Sequence, residues 1–310
     1  MSSQYIQLCS FFWGRLFNFI RLPLCHSLVR QLLYSPKANH HFLSRRSFTL
    51  MFIVIASALF ASCEKVINVQ LNEAEKKYVI EAVVTDQPNS ATVTLSQTKN
   101  FEDDNSFNGI SGAQITIADN NETPVKLTET SAGVYAAPAF TGKPGHIYKL
   151  NVIINGQVFT AASTMPSLVP IDSIYVSERN IFGDTRKFAT IIYNDPSGKG
   201  NAYRYIQSVN GVKEKTIFVR DDDLSDGRTI TRTLFYFNGD DSAAMKTGDN
   251  LQVEMLCIDY PIYKYWYSLT ESSTGDNQSA TPANPVTNIE GGALGYFSAH
   301  TVQRKTLVVP

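Results

Sequence analysis

"KYVIEAVVTDQPNSATVTLSQT", residues 77–98, decides the fold class of this chain. Two apolar runs flank Gln87-Pro88-Asn89-Ser90, a stretch of turn-forming residues. In the second run Ala91, Val93 and Leu95 share one parity, and Thr92, Thr94 and Ser96 share the other. Successive side chains of extended backbone point to opposite faces, so this alternation predicts a half-buried strand.

The same pattern recurs downstream. "GAQITIADN" (112–120) alternates at Ala113, Ile115 and Ile117, and "HIYKLNVII" (146–154) places Tyr148, Leu150 and Val152 on one side. Asn155-Gly156 then reads as a tight turn into "QVFTAAST" (157–164). No helix-period segment interrupts residues 77–165, and short strands separated by Gly, Asn and Asp turns predict an Ig-like β-sandwich. "GVY" (133–135) followed by "KPGHIYKLNV" (143–152) suits a hairpin and a Pro-Gly turn feeding a strand. Tyr148 is expected to fill the core while its hydroxyl bonds to backbone.

"TMPSLVPIDS" (164–173) holds two prolines and no periodicity, which places a domain boundary there. Further strands are expected at "SIYVSE", "KFATIIYND", "AYRYIQSV", "KTIFVR", "RTITRTLFYF", "NLQVEMLCID" and the closing "TVQRKTLVV". In "PIYKYWYSLTES" (261–272) the spacing of Ile262, Tyr265, Trp266 and Leu269 predicts one short helix starting near Pro261. Its aromatic stripe reads as core, with a ligand-stacking platform as the second reading. The fold class is therefore all-β: an Ig-like sandwich over 77–165, then a β-rich C-terminal domain over 166–310 with one helix.

Upstream, "LMFIVIASALFASCEK" (50–65) changes character at Cys63. Its apolar run is shorter than the roughly 20 residues a membrane span needs and suits the core of an export signal. Arg45 and Arg46 precede it, and Leu59-Phe60-Ala61-Ser62-Cys63 resembles the lipobox of bacterial lipoproteins, in which the cysteine is lipidated and becomes the new N-terminus. Phe60 stands where that pattern usually has an aliphatic residue. "SRRSF" (44–48) also resembles a twin-arginine signal, but Thr49 and Leu50 depart from it, and the general secretory route is expected. Residues 1–43 are apolar and basic; they read either as a mis-assigned start or as an amphipathic membrane-surface segment. The leader is thus 1–62, and 63–76 forms a tether.

The leader holds six basic residues and no acidic one, so of 27 Lys plus Arg in the chain 21 remain against 28 Asp plus Glu, a net charge of −7. An acidic chain without a basic stripe excludes nucleic acid as an expected partner. Cys9 and Cys25 lie in the leader and Cys63 would carry lipid, which leaves Cys257 alone and no disulfide framework. In "LQVEMLCID" Cys257 shares the parity of Leu251, Val253 and Met255, so a buried core thiol is expected.

"YNDPSGKGNAYRY" (193–205), "YKYWYSL" and "TNIEGGALGYFSAHTV" (287–302), with "YVIEAVVTD" and "MPSLVPIDSIYV", resemble a family of Bacteroidota lipoproteins described only as domain of unknown function 4249. The resemblance spans residues 63–310. It implies a lipid-anchored envelope protein beside TonB-dependent outer-membrane transporters, and it brings no activity and no site.

The residues themselves suggest no catalytic group, cofactor or metal. His146 and His300 are read at a strand end and a strand start, without metal-ligand spacing, and no nucleophile elbow, phosphate loop or dinucleotide fingerprint is present. "RDDDLSDG" (220–227) offers Asp221, Asp223 and Asp226 near Gly227, but its register departs from an EF-hand loop; a hairpin turn with solvated charges is expected, with calcium as the open alternative. "FEDDNSFNG" (101–109) reads as an exposed loop. "EGGALGYF" (290–297) has too many glycines for a plain strand and is read as a bulge beside a packed Tyr296-Phe297 pair, or as one wall of a cleft. The expected partner or ligand contact is Tyr263, Trp266, Asn288, Tyr296 and Phe297. The function expected is a non-enzymatic, outer-membrane-anchored binding or accessory component. The alternatives are a secreted glycan- or peptide-acting enzyme and a structural or adhesive surface module.

Overall fold

Alternating apolar residues become strands where a second layer covers their apolar face. The computed structural model describes residues 75–99, 106–120, 122–181, 183–235, 244–274 and 284–310. Cys63, the leader and most of the tether lie outside the described residues, as does most of the 101–109 loop, in which Phe107 is exposed.

The N-terminal half forms β1 (Tyr78–Thr85), β2 (Ala91–Gln97), β3 (Gln114–Asp119), β4 (Val125–Lys126), β5 (Thr128–Ser131), β6 (Val134–Ala137), β7 (Ile147–Ile154) and β8 (Gln157–Thr164). Then come β9 (Ile171–Ile181), β10 (Asp184–Asn194), β11 (Ala202–Val209), β12 (Val212–Lys213), β13 (Phe218–Asp221), β14 (Thr229–Thr233) and β15 (Asn250–Ile258). Helix α1 (Tyr260–Thr274), β16 (Ile289–Glu290) and β17 (Leu294–Val308) close the chain. A nine-stranded sheet runs β12-β11-β15-β17-β1-β2-β6-β5, with β13 also beside β11; the other sheets are β16-β8-β7-β3-β4 and β14-β10-β9.

The first apolar core joins Ile80, Ala82, Val84, Val93 and Leu95 of the large sheet to Ile115, Ile117, Leu150, Val152 and Phe159 of the five-stranded one. The predicted alternation is realised there: Ala91, Val93 and Leu95 are fully buried. Tyr148 is fully buried and its hydroxyl accepts a 2.6 Å hydrogen bond from the Lys143 N–H. Tyr135 is anchored in the same way, donating to the Ile110 carbonyl at 2.9 Å and accepting from the Ala113 N–H at 3.1 Å. Asn155 and Gly156 take φ of 49° and 78°, the left-handed pair of a tight hairpin turn. The second core joins Phe188, Ile191 and Tyr193 of β10 to Tyr203, Tyr205, Val253, Met255 and Cys257.

The two cores share β17. Leu294–His300 pairs in parallel with Val79–Thr85 of β1, and Thr301–Val308 pairs antiparallel with Cys257–Asn250 of β15. The expected C-terminal domain over 166–310 thus shares its last strands with the first sandwich: Ile289, Ala293, Phe297 and Ala299 belong to the first core. Parallel partners need a long crossover, and here everything from β2 to β16 lies between the two strands, so no local sequence signal marks the pairing. No bulge falls at Gly295, because the β1–β17 register is unbroken from Leu294 onward, while Gly291 and Gly292 lie between β16 and β17 with φ of 98° and 89°. Gly295 has φ of 96°, and a Cβ there would stand 2.0 Å from the Ile80 carbonyl oxygen, so the close backbone approach requires glycine. His300, read as a strand start, lies in mid-strand.

Helix α1 covers the other face of the large sheet. Ile262, Tyr265 and Trp266 pack on Ala202, Leu256, Ile258 and Val302. Asp259 caps it through the Ile262 N–H (3.2 Å) and also accepts from Ser163 Oγ (2.8 Å) and the Thr164 N–H (2.9 Å), so one carboxylate fixes the helix start to the end of β8. No helix among the described residues is long and apolar enough to cross a membrane.

Candidate functional site

Strand parity builds the site. On β11, Tyr203 and Tyr205 point into the second core while Arg204 and Ile206 stand on the opposite face. That face also carries Glu254 and Leu256 of β15 and Tyr296, Ser298, His300 and Arg304 of β17. Helix α1 lays Trp266 over one end, leaving a groove of two adjoining cavities of about 190 and 360 Å³ that share Arg204, Ile206 and Trp266. Lys213–Ile217, leaving β12, form the far wall of the larger one.

At the centre the Arg204 guanidinium carbon lies 3.4 Å from the centroid of the Trp266 ring. Tyr296 packs against both Trp266 and Tyr265, with centroids 5.1 and 4.8 Å apart, so the cation sits in an aromatic corner. Arg204 Nε is buried without a hydrogen-bond partner, and no carboxylate among the described residues forms an ion pair with it. Burial lowers the Arg204 pKa, while the neighbouring Tyr296 and Tyr265 support its charge. Lys213 is also lowered, by burial first and then by the charge of Arg204. Glu254 is engaged elsewhere, accepting from Arg304 Nε at 2.8 Å and Gln252 Nε2 at 2.9 Å.

His300 is 7 % exposed, and burial followed by the Arg204 charge pushes its pKa down to about 3. Its Nδ1 lies 2.8 Å from Ser298 Oγ. The imidazole is therefore neutral at physiological pH.

Of the expected contact residues, Trp266 and Tyr296 meet in this groove. Tyr263 does not line it; half-buried on another flank of α1, it lies between Tyr260 and Tyr267 at centroid distances of 5.5 and 5.7 Å in a near-parallel ladder. Burial, then the Asp221 carboxylate beside it, raises the Tyr263 pKa. Phe297 is corrected out of the contact surface, because it is fully buried in the first core. Asn288 lies outside this groove and lines a separate cavity with Thr160 and Glu290; its amide donates to the Phe297 carbonyl (2.8 Å) and the Ala162 carbonyl (3.2 Å), and its Oδ1 accepts from the Phe297 N–H (3.0 Å), so the side chain pins the entry to β17. Arg204, which organises the groove, was not singled out by sequence; the signal was its outward parity within the apolar "AYRYIQSV".

The acidic loop also differs from expectation. Asp222 and Asp195 are 1 % and 4 % exposed, and with Asp226 they bring carboxylate oxygens within 4.8 Å of one another. These are the acidic residues among the described ones that could face a cation. Asp222 accepts from the Gly200 and Asn201 N–H groups, both at 3.0 Å, Asp226 from the Gly198 N–H at 2.7 Å, and Asp195 from the Gly227 N–H at 3.1 Å and the Tyr203 hydroxyl. The carboxylates thus staple the 195–201 loop to the 222–227 turn. Asp221 and Asp223, the other members of the expected loop, are outside this cluster. Cys257 is 2 % exposed, and burial raises its pKa, consistent with a core thiol.

A two-domain fibronectin type-III segment of chicken tenascin is similar at 10 % identity over 76 % of this chain and 100 % of that one, with a TM-score of 0.22. No curated protein sequence matches. The family model that matches, over residues 64–306, is described as a domain of unknown function, and the chain belongs to that family, DUF4249.

Proposed function

We propose that this protein is a non-enzymatic, lipid-anchored component of the cell envelope that binds a ligand or partner beside a TonB-dependent outer-membrane transporter. The observation that carries the binding part is the groove, an aromatic corner around a cation with which no carboxylate among the described residues forms an ion pair. Buried charges are ordinarily paired, so an unpaired one at a cavity wall favours a partner from outside. The lipobox at Cys63 supports the anchor. About 14 polar tether residues allow a reach of roughly 45 Å at full extension, and confinement to one membrane raises a partner's effective concentration.

The Ser298–His300 pair is the groove's nearest approach to catalytic machinery, and its chemistry favours binding. A base with a pKa of about 3 draws a serine proton too weakly near neutral pH, and its Nδ1 is turned to the serine rather than to an orienting carboxylate.

The test is affinity purification from intact envelopes combined with a palmitate-analogue label. A co-purifying barrel and a label lost in Cys63→Ala are expected. Turnover of a glycan or peptide by the purified protein, abolished by changing one carboxylate, would overturn the reading in favour of an enzyme.

A further inference from the structure

We infer that the groove between α1 and the β11–β15–β17 face is a binding site for a ring-bearing ligand with a single carboxylate, and that Arg204 is its charge partner. The inference deepens the reading above and rests on the groove being the binding site. Its chemistry follows from three features.

The first is charge. Arg204, Lys213, Lys215 and Arg304 line the two cavities against Glu214 and Glu254. Arg304 is matched to Glu254, whereas Arg204 has no carboxylate partner among the described residues. Glu81, across the strand pair from Tyr296, adds a weaker attraction to Arg204. Four cations against the two lining carboxylates and Glu81 leave a surplus of about one positive charge. Glu254 on the same wall disfavours a dianion, so a monoanion fits better than a phosphate.

The second is the form of the cation. Trp266 covers one face of the guanidinium and the Nε is sealed without a partner. The guanidinium donates one hydrogen bond to the Tyr296 hydroxyl, and the remaining N–H groups of the planar fork, held by the ring stack, are pre-oriented for a carboxylate.

The third is the wall. Trp266 and Tyr296 stand beside the cation, and Ile206, Leu256 and Val302 make an apolar floor. An apolar lining with a few placed polar groups is the usual composition of a small-molecule site. The larger cavity, about 360 Å³, accepts one ring and its acid group. A uronic acid and the C-terminal aromatic residue of a peptide both present this chemistry.

The experiment uses the full chain in detergent with Trp13→Phe, which leaves Trp266 as the sole tryptophan. Its emission is followed during titration with D-glucuronate and with N-acetyl-phenylalanine, against their neutral counterparts D-glucose and N-acetyl-phenylalanine amide. At least one acid is expected to give a saturable change that its neutral counterpart lacks. Response to glucuronate alone identifies a sugar acid, and response to the amino acid alone identifies a peptide terminus. Arg204→Met should weaken binding at least about tenfold, with Arg204→Lys in between. Thermal unfolding of each variant, run alongside, separates lost affinity from lost fold, and binding retained in Arg204→Met would overturn the inference. Equal response to acid and neutral probes, or no response to either acid, would also overturn it. A co-purifying barrel alongside a failed titration would leave the proposed function standing and remove only this ligand.

Discussion

The two faces of β17 serve different surroundings. On one face Phe297 and Ala299 are fully buried in the first core; on the other Tyr296, Ser298 and His300 line a groove beside Arg204, which has no carboxylate partner among the described residues. Backbone, strand and neighbours are the same, so the contrast comes from side chains alone. The inner face is built for stability, and the outer face carries polar groups beside Arg204, whose Nε is buried without a hydrogen-bond partner. Stability–function trade-offs concentrate such groups at sites. Inner-face changes should therefore lower stability, and outer-face changes should mainly alter pH response or binding.

The largest effect is expected from Phe297→Ala. The ring is fully buried among both layers of the first core, and removal of such a ring costs about 3–5 kcal/mol. Denaturant midpoints would measure this. A loss below about 1 kcal/mol would show that β17 is not a core element of the first sandwich.

Asp222→Ala should follow, at about 3 kcal/mol. It strips a buried carboxylate from two backbone N–H groups. Relief of repulsion from Asp195 and Asp226 offsets part of the cost. Proteolysis within 195–201 should accelerate in the variant; unchanged cleavage would mean that the carboxylate does not hold the loop.

His300 tests the outer face by pH. Burial penalises its protonated form only in the fold, so between about 3 and the ordinary imidazole value of 6.5 the unfolded chain binds the extra proton. Its contribution is fully present above pH 6.5 and is lost as pH falls through that window, at about 1.4 kcal/mol per pH unit. Between pH 6.5 and 5 this amounts to about 2 kcal/mol. Denaturation of wild type and His300→Gln across that interval should show the slope flattened in the variant, and parallel slopes would mean that solvent reaches the imidazole.

The sandwich strands were legible because period two and turn chemistry are local signals, as at Ala91–Leu95 and Asn155-Gly156. The helix was legible from Ile262, Tyr265, Trp266 and Leu269. What stayed hidden depends on long-range pairing. Phe297 looked like half of an aromatic contact because nothing near it in sequence announces that β1, about 200 residues earlier, lies alongside. Asp222 looked solvated because its donors, the Gly200 and Asn201 N–H groups, arrive from a different loop. Arg204 was overlooked for the same reason, since its significance depends on Trp266 and Tyr296 arriving from two other elements.

The smallest stability change is expected where the proposed binding effect is greatest. Arg204→Met removes a cation stacked on Trp266, a contact worth about 0.5–2 kcal/mol. It also removes the desolvation cost of a guanidinium whose Nε is buried without a partner, and the methionine chain retains much of the apolar stem that packs along the sheet. The terms oppose one another, so the net change should stay within about 1 kcal/mol of zero, as when a buried charge is replaced by an apolar residue of similar volume. Unfolding in denaturant measures it directly. A loss above about 3 kcal/mol would make Arg204 a structural strut, and the outer face of β17 would then serve the fold just as the inner face does. A near-zero change with a tenfold weaker carboxylate titration would separate the two faces by role.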